Sequence, residues 1–452
     1  MNKKKYLLIL MIDALFLAIA FGIYITFNSS VQINAYIFAF FMISNILISY
    51  SFFKKGMHAS FIFLGLLFLF QGGLVISFLI SGKVEDITFV LLQGYNENLP
   101  DSIIISTLYM VMLSAFFILL SSMITYKQEN ILKKYTVSSS SINFILLLFL
   151  FSLPFLIYKN ISYINYVMEH GGYMAIYTGG GENRKNVGII VRAFALLAQV
   201  SFVYYFIIEK NKKRLHWIIF IFFMVSIMDL VIGLRGKFFV FWLTFIFFYK
   251  MKFKSNFSLK YIIASILIVA FISVLVGFIR EGKTIDLDNP VAMFFKTQGV
   301  SLHVTAFSLY EKELYTKNAI SYLIYPLVEI FLHQNEFSYG KLFANDLSRD
   351  LNSQAFENGY GTGSTYLAEI FLLMGPIGII IFSIIIGVLL NKIKLYNNAY
   401  ISVVSFYCCL GVLYLPRASF FNFLTEVIKI IPVVAFIYML LIIKKNLLKR
   451  RV

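Results

Sequence analysis

Apolar residues run along this chain in blocks of about twenty, cut by short clusters of Lys, Arg, Asn and Gly. Blocks at 6–27, 33–53, 59–80, 102–126, 141–158, 188–208, 215–234, 237–249, 261–280, 364–390, 399–415 and 422–443 each read as a helix. About twenty helical residues cross a hydrocarbon core of roughly 30 Å. The pattern therefore predicts an all-α polytopic membrane protein, with about twelve transmembrane helices forming one domain over 1–452. Between the blocks lie short basic turns, polar loops at 81–101, 128–140 and 159–187, and one long segment at 281–363. Within that segment Ala319 to Leu332, interrupted by Pro326 and Glu329, reads as a short amphipathic helix at the membrane surface, able to form a lid over a cavity. The first block follows Lys3-Lys4-Lys5 and runs to Phe27, longer than the about 7–15 residues of a signal-peptide core, so it reads as a retained helix.

Composition agrees with lipid as the solvent. Hydrophobic residues make up 60% of 452 and charged residues 13%, against about half and a quarter in soluble domains. A formal charge of +17 invites a nucleic-acid partner, but its distribution removes that reading. With the N-terminus in the cytoplasm and the helices alternating, the cytoplasmic segments are 1–5, 54–58, 127–140, 209–214, 250–260, 391–398 and 444–452. They hold 23 of the 39 Lys and Arg but only Glu129 and Glu209 of the acidic residues. The charge is then positive-inside anchoring, both termini are cytoplasmic, and 281–363 is outside. Cys408 and Cys409 are adjacent in an apolar run and read as small fillers. No paired helical His motif and no acidic cluster has metal-site spacing, so neither metal nor other cofactor is expected.

The sidedness sorts the candidates for chemistry. The block 237–249 is only 13 residues long, about 20 Å of helix. This predicts that the hairpin Gly233-Leu234-Arg235-Gly236-Lys237 sinks below the outer surface and turns Arg235 into a wet cavity. A surface turn with a snorkelling arginine is the plainer reading. Arg280 and Glu281 end the ninth block, and Arg417 sits in the last outer turn. Three arginines on one side suit an anion, because a guanidinium grips phosphate oxygens through a planar fork; contact with headgroups or loop carboxylates is the alternative. Glu369 shares a helix face with Thr365 and Tyr366, beside Ser364. It either pairs with an arginine or acts catalytically. Gly375 and Gly378 offer close helix approach. The run Gly179-Gly180-Gly181 lacks the ending and preceding strand of a phosphate loop, which leaves Arg184 and Arg192 as candidate neighbours of the site. His303 and His333 are candidate general bases by their near-neutral pKa, or plain surface positions. Asp229 and Asp13 also lie within blocks. Asp13 reads as structural and Asp229 receives no role.

Taken together, the Gly-x-Arg-Gly hairpin, the long outer segment, the Gly-rich entry to a helix bearing Ala368-Glu369 and the late Arg417-Ala418-Ser419-Phe420 turn resemble the O-antigen (oligosaccharide repeat-unit) polymerases, Wzy. The likeness is carried by 230–238, 277–281, 359–378 and 415–420. It implies a GT-C-like, metal-independent glycosyltransferase of the bacterial inner membrane, with its active site facing the periplasm. Such an enzyme moves a growing glycan from undecaprenyl diphosphate to a sugar hydroxyl on the next lipid-linked repeat unit. By position, the resemblance gives Arg235, Arg280 and Arg417 the diphosphate, with Arg184 and Arg192 nearby. Glu369, Glu281, His303 or His333 would do the catalytic work, and Ser364, Thr365 and Tyr366 would position donor and acceptor. The related ligases place a His near the start of the equivalent helix, where this chain has Gly363-Ser364-Thr365. Partners implied are the lipid-linked oligosaccharides, membrane lipids, a chain-length regulator and a flippase, with no nucleic acid. A lipid-linked oligosaccharide flippase or a ligase-type transferase are the alternatives. The chain shows no internal repeat of the kind many transporters carry.

Overall fold

The computed structural model describes residues 3–27, 30–53, 58–90, 97–126, 138–169, 187–253, 289–332, 338–357 and 361–449. The long helices are α1 (Lys3–Phe27), α2 (Val31–Phe52), α3 (Ala59–Ser81), α5 (Asp101–Thr125), α6 (Ser139–Glu169), α7 (Ile189–Ile208), α8 (Lys212–Ile232), α9 (Arg235–Phe253), α16 (Tyr366–Lys392), α17 (Ala399–Tyr414) and α18 (Asn422–Lys449). A short helix, α4 (Glu85–Thr88), follows α3. The long segment folds as α10 (Pro290–Gly299), α11 (Ser301–Tyr310), α12 (Lys312–Thr316), α13 (Ala319–Leu332), α14 (Phe343–Leu351) and α15 (Ser353–Glu357). Among the described residues, nine helices are long and apolar enough to cross a membrane. α1 and α9 are also continuous helices of 25 and 19 residues, and the expected block 261–280 lies outside the described residues.

Large apolar side chains point outward along this bundle. Met11, Phe40, Phe151 and Ile377 are between 61% and 68% exposed, which is tenable only against lipid. Polar residues mark where helices begin and end. Ser30, Asn211, Thr365 and Asn398 accept bonds from first-turn N–H groups, and left-handed Gly82 and Gly233 close α3 and α8. One packed group joins α2, α3, α5 and α16; another joins α6, α7 and α8 to α9, α17 and α18. α17 touches both α3 and α7, so its end is where the two groups meet.

The structure departs from the sequence reading in three places. α6 runs 31 residues to Glu169, so 159–169 is helix and not loop. Two of its polar residues turn inward, Lys159 lining a cavity and Asn160 being 1% exposed, and its final turns pack Tyr166 and Val167 on Ile232 beside the hairpin. α9 begins at Arg235 and has 19 residues, not 13; at roughly 28 Å it does not by its length require a sunken hairpin. Gly375 does not serve close approach: its φ of 62° with Pro376 kinks α16, and nothing lies within 4 Å of where its Cβ would be. In the long segment, α10 packs against α3, and α11 against α3, α5 and α16. There Gly299 meets Gly73 backbone to backbone. Lys296 Nζ lies 2.7 Å from Asp86 Oδ1, and Ser77 and Ser81 donate to Asp86 Oδ2 at 2.8 Å. Burial works to raise the Asp86 carboxyl, but these hydrogen bonds and the Lys296 charge outweigh it and hold the group below the usual aspartate range.

Candidate functional site

The hairpin between α8 and α9 is fixed locally. Gly233 takes φ 105°, which favours glycine, and Leu234 N–H donates to Asp229 O at 2.8 Å. Gly236 then lies against the end of α17. A Cβ there would sit 3.0 Å from Tyr414 Cε2 and 3.1 Å from its hydroxyl oxygen. The hairpin and the turn after Tyr414, far apart in sequence, are thereby neighbours. That turn is a 3₁₀ turn, Leu415–Arg417.

Beneath the hairpin is a cavity of ≈ 240 Å³ between α6, α7, α8, α9, α17 and α18. Two lysines and two acidic residues line it: Lys159, Lys237, Asp229 and Glu426. Lys237 Nζ is 3.9 Å from Glu426 Oε1, and Asp229 lies within electrostatic reach of both lysines. An aromatic wall of Phe222, Phe238, Phe241 and Trp242 bounds it, with Trp242 Nε1 donating to Ser226 Oγ at 3.1 Å. Deeper along α17, seven residues or about 10 Å below Tyr414, Tyr407 also lines the cavity. It is 3% exposed, and its hydroxyl has no hydrogen-bond partner among the described residues. Charges inside a membrane protein are costly and gather where a polar ligand or path needs them. Two lysines, two carboxylates and an unspent hydroxyl on one apolar-walled cavity make a chamber suited to a charged ligand.

The Arg417 turn is built separately and borders this region. Pro416 O accepts from Gln71 Nε2 at 2.9 Å, Arg417 Nη1 donates to Gln298 Oε1 at 3.0 Å, and the guanidinium lies 5.6 Å from the Phe70 ring centroid. Glu369 is fully buried. Its Oε1 accepts from Ser364 Oγ at 2.7 Å, its Oε2 from Phe420 N–H at 3.0 Å, and the Ser419 hydroxyl bonds to it as well. The carboxylate thus straps the entry of α16 to the Arg417 turn. Thr365 caps α16 and shares a 2.9 Å hydrogen bond with Thr305, and the Tyr366 hydroxyl is 2.7 Å from Ser114 Oγ. His303, 2% exposed, lies with Nε2 2.8 Å from Ile87 O. Burial, then the Lys296 charge, pushes it down to about 4 against the pull of that carbonyl.

The sequence candidates are therefore distributed unevenly. Arg235 opens α9 between Leu234 and Lys237, both cavity-lining. Ser364, Thr365, Tyr366, Glu369 and Arg417 come together at the α16 entry. Arg192, in the first turn of α7, has a buried Nε without a partner among the described residues. It precedes cavity-lining Gln199 by two helical turns and shares its face. Arg184, Arg280, Glu281 and His333 lie outside the described residues. Among those described, no three His, Cys, Asp or Glu side chains are grouped to hold a metal.

Sequence reasoning passed over Lys159, Lys237, Glu426 and Tyr407, and gave Asp229 no role. Lys159 falls in a presumed loop, and Tyr407 looks like any tyrosine of an apolar helix. The charges of Asp229 and Glu426, interrupting apolar blocks on the same side as the hairpin, were the usable signal. The family model for O-antigen polysaccharide polymerase Wzy matches residues 9–451, essentially the whole chain. No curated protein and no solved structure matches it.

Proposed function

The chain belongs to the O-antigen polysaccharide polymerase Wzy family, and we propose that it lengthens a surface glycan at the periplasmic face of the bacterial inner membrane. The growing chain passes from undecaprenyl diphosphate to a sugar hydroxyl of the next lipid-linked repeat unit. In this reading α1, α9 and the block 261–280 bring the nine spans to twelve. The Lys and Arg excess sets both termini in the cytoplasm, and the hairpin, the Arg417 turn and the long segment face the periplasm. The observation that carries it is the charged cavity under the hairpin of a whole-chain family match.

A diphosphate leaving group gains negative charge as the glycosidic bond breaks, and fixed cations in a site of low dielectric stabilise that charge. We assign this work to Arg235 at the start of α9 and the cavity lysines, with Arg192 and Arg417 at the approaches. Glu369, with every carboxylate oxygen engaged, braces the Arg417 turn. The apolar tails of donor and acceptor stay in lipid while their headgroups meet in the chamber, which substitutes positioning for encounter. No metal is needed to offset the diphosphate, so elongation of lipid-linked repeats by purified protein is expected to survive EDTA.

Deletion of the gene tests the class. A polymerase mutant displays a single repeat unit on its acceptor, whereas a flippase mutant displays none. Arg235→Ala should give the same single-unit phenotype with normal membrane insertion. Full-length glycan in that variant would sink the assignment of the hairpin.

A further inference from the structure

We propose that the cavity divides the transfer into two tasks: Tyr407, with Lys159 and Lys237, holds the leaving diphosphate, and Asp229 takes the proton of the attacking sugar hydroxyl. This rests on the polymerase reading and names residues that the resemblance did not supply.

The hydroxyl of Tyr407 is the starting point. It is almost wholly buried, lines the cavity, and has no partner among the described residues. A buried donor left unpaired costs about 1–3 kcal/mol, and one that lines a cavity is placed to be completed by a bound group. This O–H donor shares the cavity lining with the ammonium groups of Lys159 and Lys237 and lies within electrostatic reach of Glu426, and such a donor suits a phosphate oxygen because charge-assisted bonds to anions are the strong ones. The N-terminus of α9 adds N–H groups and positive dipole potential from the hairpin side. The acceptors on the same surface are Asp229 and Glu426. Glu426 is engaged by Lys237, which leaves Asp229, three residues along α8 from Ser226, as the carboxylate for a proton. The step balances. The acceptor's hydroxyl oxygen bonds to the anomeric carbon of the donor as the bond from that carbon to the phosphate oxygen breaks. The bonding electron pair leaves on the diphosphate, and the hydroxyl proton passes to Asp229.

Binding and turnover separate the two tasks. Wild-type, Tyr407→Phe, Lys159→Met and Asp229→Asn proteins in detergent are compared for binding of undecaprenyl diphosphate and for elongation of purified lipid-linked repeat units. Tyr407→Phe and Lys159→Met should each weaken undecaprenyl diphosphate binding about tenfold, the loss of one charge-assisted hydrogen bond. Asp229→Asn should bind it at least as tightly as wild type, which also shows that the variant is folded, while elongation falls about a hundredfold or more. Asp229→Glu should recover part of that turnover. Wild-type binding in Tyr407→Phe, or Asp229→Asn elongating within about threefold of wild type, a loss too small for a general base, overturns the proposal. So does loss of undecaprenyl diphosphate binding in Asp229→Asn. If the wild-type protein neither binds undecaprenyl diphosphate nor elongates repeats, it is the polymerase reading that fails.

Discussion

Replacing Gly299 with alanine tests how the long segment is seated. An added Cβ would lie 2.7 Å from Gly73 C and 2.9 Å from Gly73 Cα, and closer still to Leu74 N. Ordinary carbon contacts fall at about 3.5–4.0 Å, so the overlap is about 1 Å. Every atom met belongs to the α3 backbone, and no rotamer change can relieve it. α10 must move as a body. Overpacking of this kind costs about 1–3 kcal/mol. The movement also strains the Lys296–Asp86 contact at 2.7 Å and the Arg417–Gln298 bond at 3.0 Å. Lysine can follow a small shift through its flexible stem. We therefore expect about 2 kcal/mol of destabilisation, rising to about 4 kcal/mol if the charged pair is lost too. Thermal unfolding in detergent reads the loss, and elongation of lipid-linked repeats should fall with it because the Arg417 turn loses its partner. Gly65→Ala is the control. It lies on the same α3 with nothing within 4 Å of its Cβ position, so it should be neutral or more stable by about 0.5–1 kcal/mol. A Gly299→Ala protein that matches Gly65→Ala in both midpoint and elongation refutes the close-packed seat.

Acid should loosen the same docking. His303 falls to about 4 in the folded protein from an ordinary 6.5, so between those values the folded state binds fewer protons than the unfolded chain. Its contribution is complete above pH 6.5 and is lost as the pH falls toward 4, roughly 3 kcal/mol at most. The melting midpoint measured across that window should drop, and an unchanged slope in His303→Gln counts against it. Glu369→Gln should lower the midpoint by the equivalent of about 1–3 kcal/mol, because its amide NH₂ must face a donor, Ser364 Oγ or Phe420 N–H. If Glu369 instead served as the base, turnover would vanish with the midpoint unmoved.

Lipid made most of the helices legible. A chain that must satisfy its backbone inside a bilayer has to write runs of about twenty apolar residues. The edges read from those runs for α1, α2, α3, α5 and α7 fall within a few residues of the observed ones. The failures share one cause. Hydropathy registers Lys159, Asn160 and Ser162 as an exit to water, yet α6 continues through them because two of these polar groups face inward, one into the cavity and one into the packing. Charge shortened α9 on paper in the same way, by two residues at Arg235-Gly236 and by four from Lys250 to Phe253. The close seat of α10 on α3 left no sequence mark at all. Gly73 and Gly299 each look like an ordinary glycine, and only their meeting across the fold gives them meaning.

Candidate chemistry was legible as residue type and opaque as accounting. Residue type selected Arg417, Glu369, Tyr366, Thr365, Ser364 and His303, of which Ser364, Thr365, Tyr366 and Glu369 lie at the entry of α16. Yet each of these spends polar atoms on a partner inside the protein: Gln298, Ser364 and Phe420, Ser114, Thr305, Glu369 and Ile87 in turn. A satisfied buried group is already repaid by structure. An unsatisfied one leaves its desolvation uncompensated, and where it lines a cavity a ligand is what can complete it. Among the residues that line the cavity, that criterion selects Tyr407, a tyrosine among 29. Which donors are spent is decided by packing between distant helices, so no local motif can carry it. Tyr407→Phe, a change of one oxygen atom, is for that reason the sharper probe of the site than removal of any arginine. It takes away a hydrogen bond that the resting protein does not make, so a stability loss would mean that the hydroxyl is already spent, and a loss of diphosphate binding alone would mean that it is reserved.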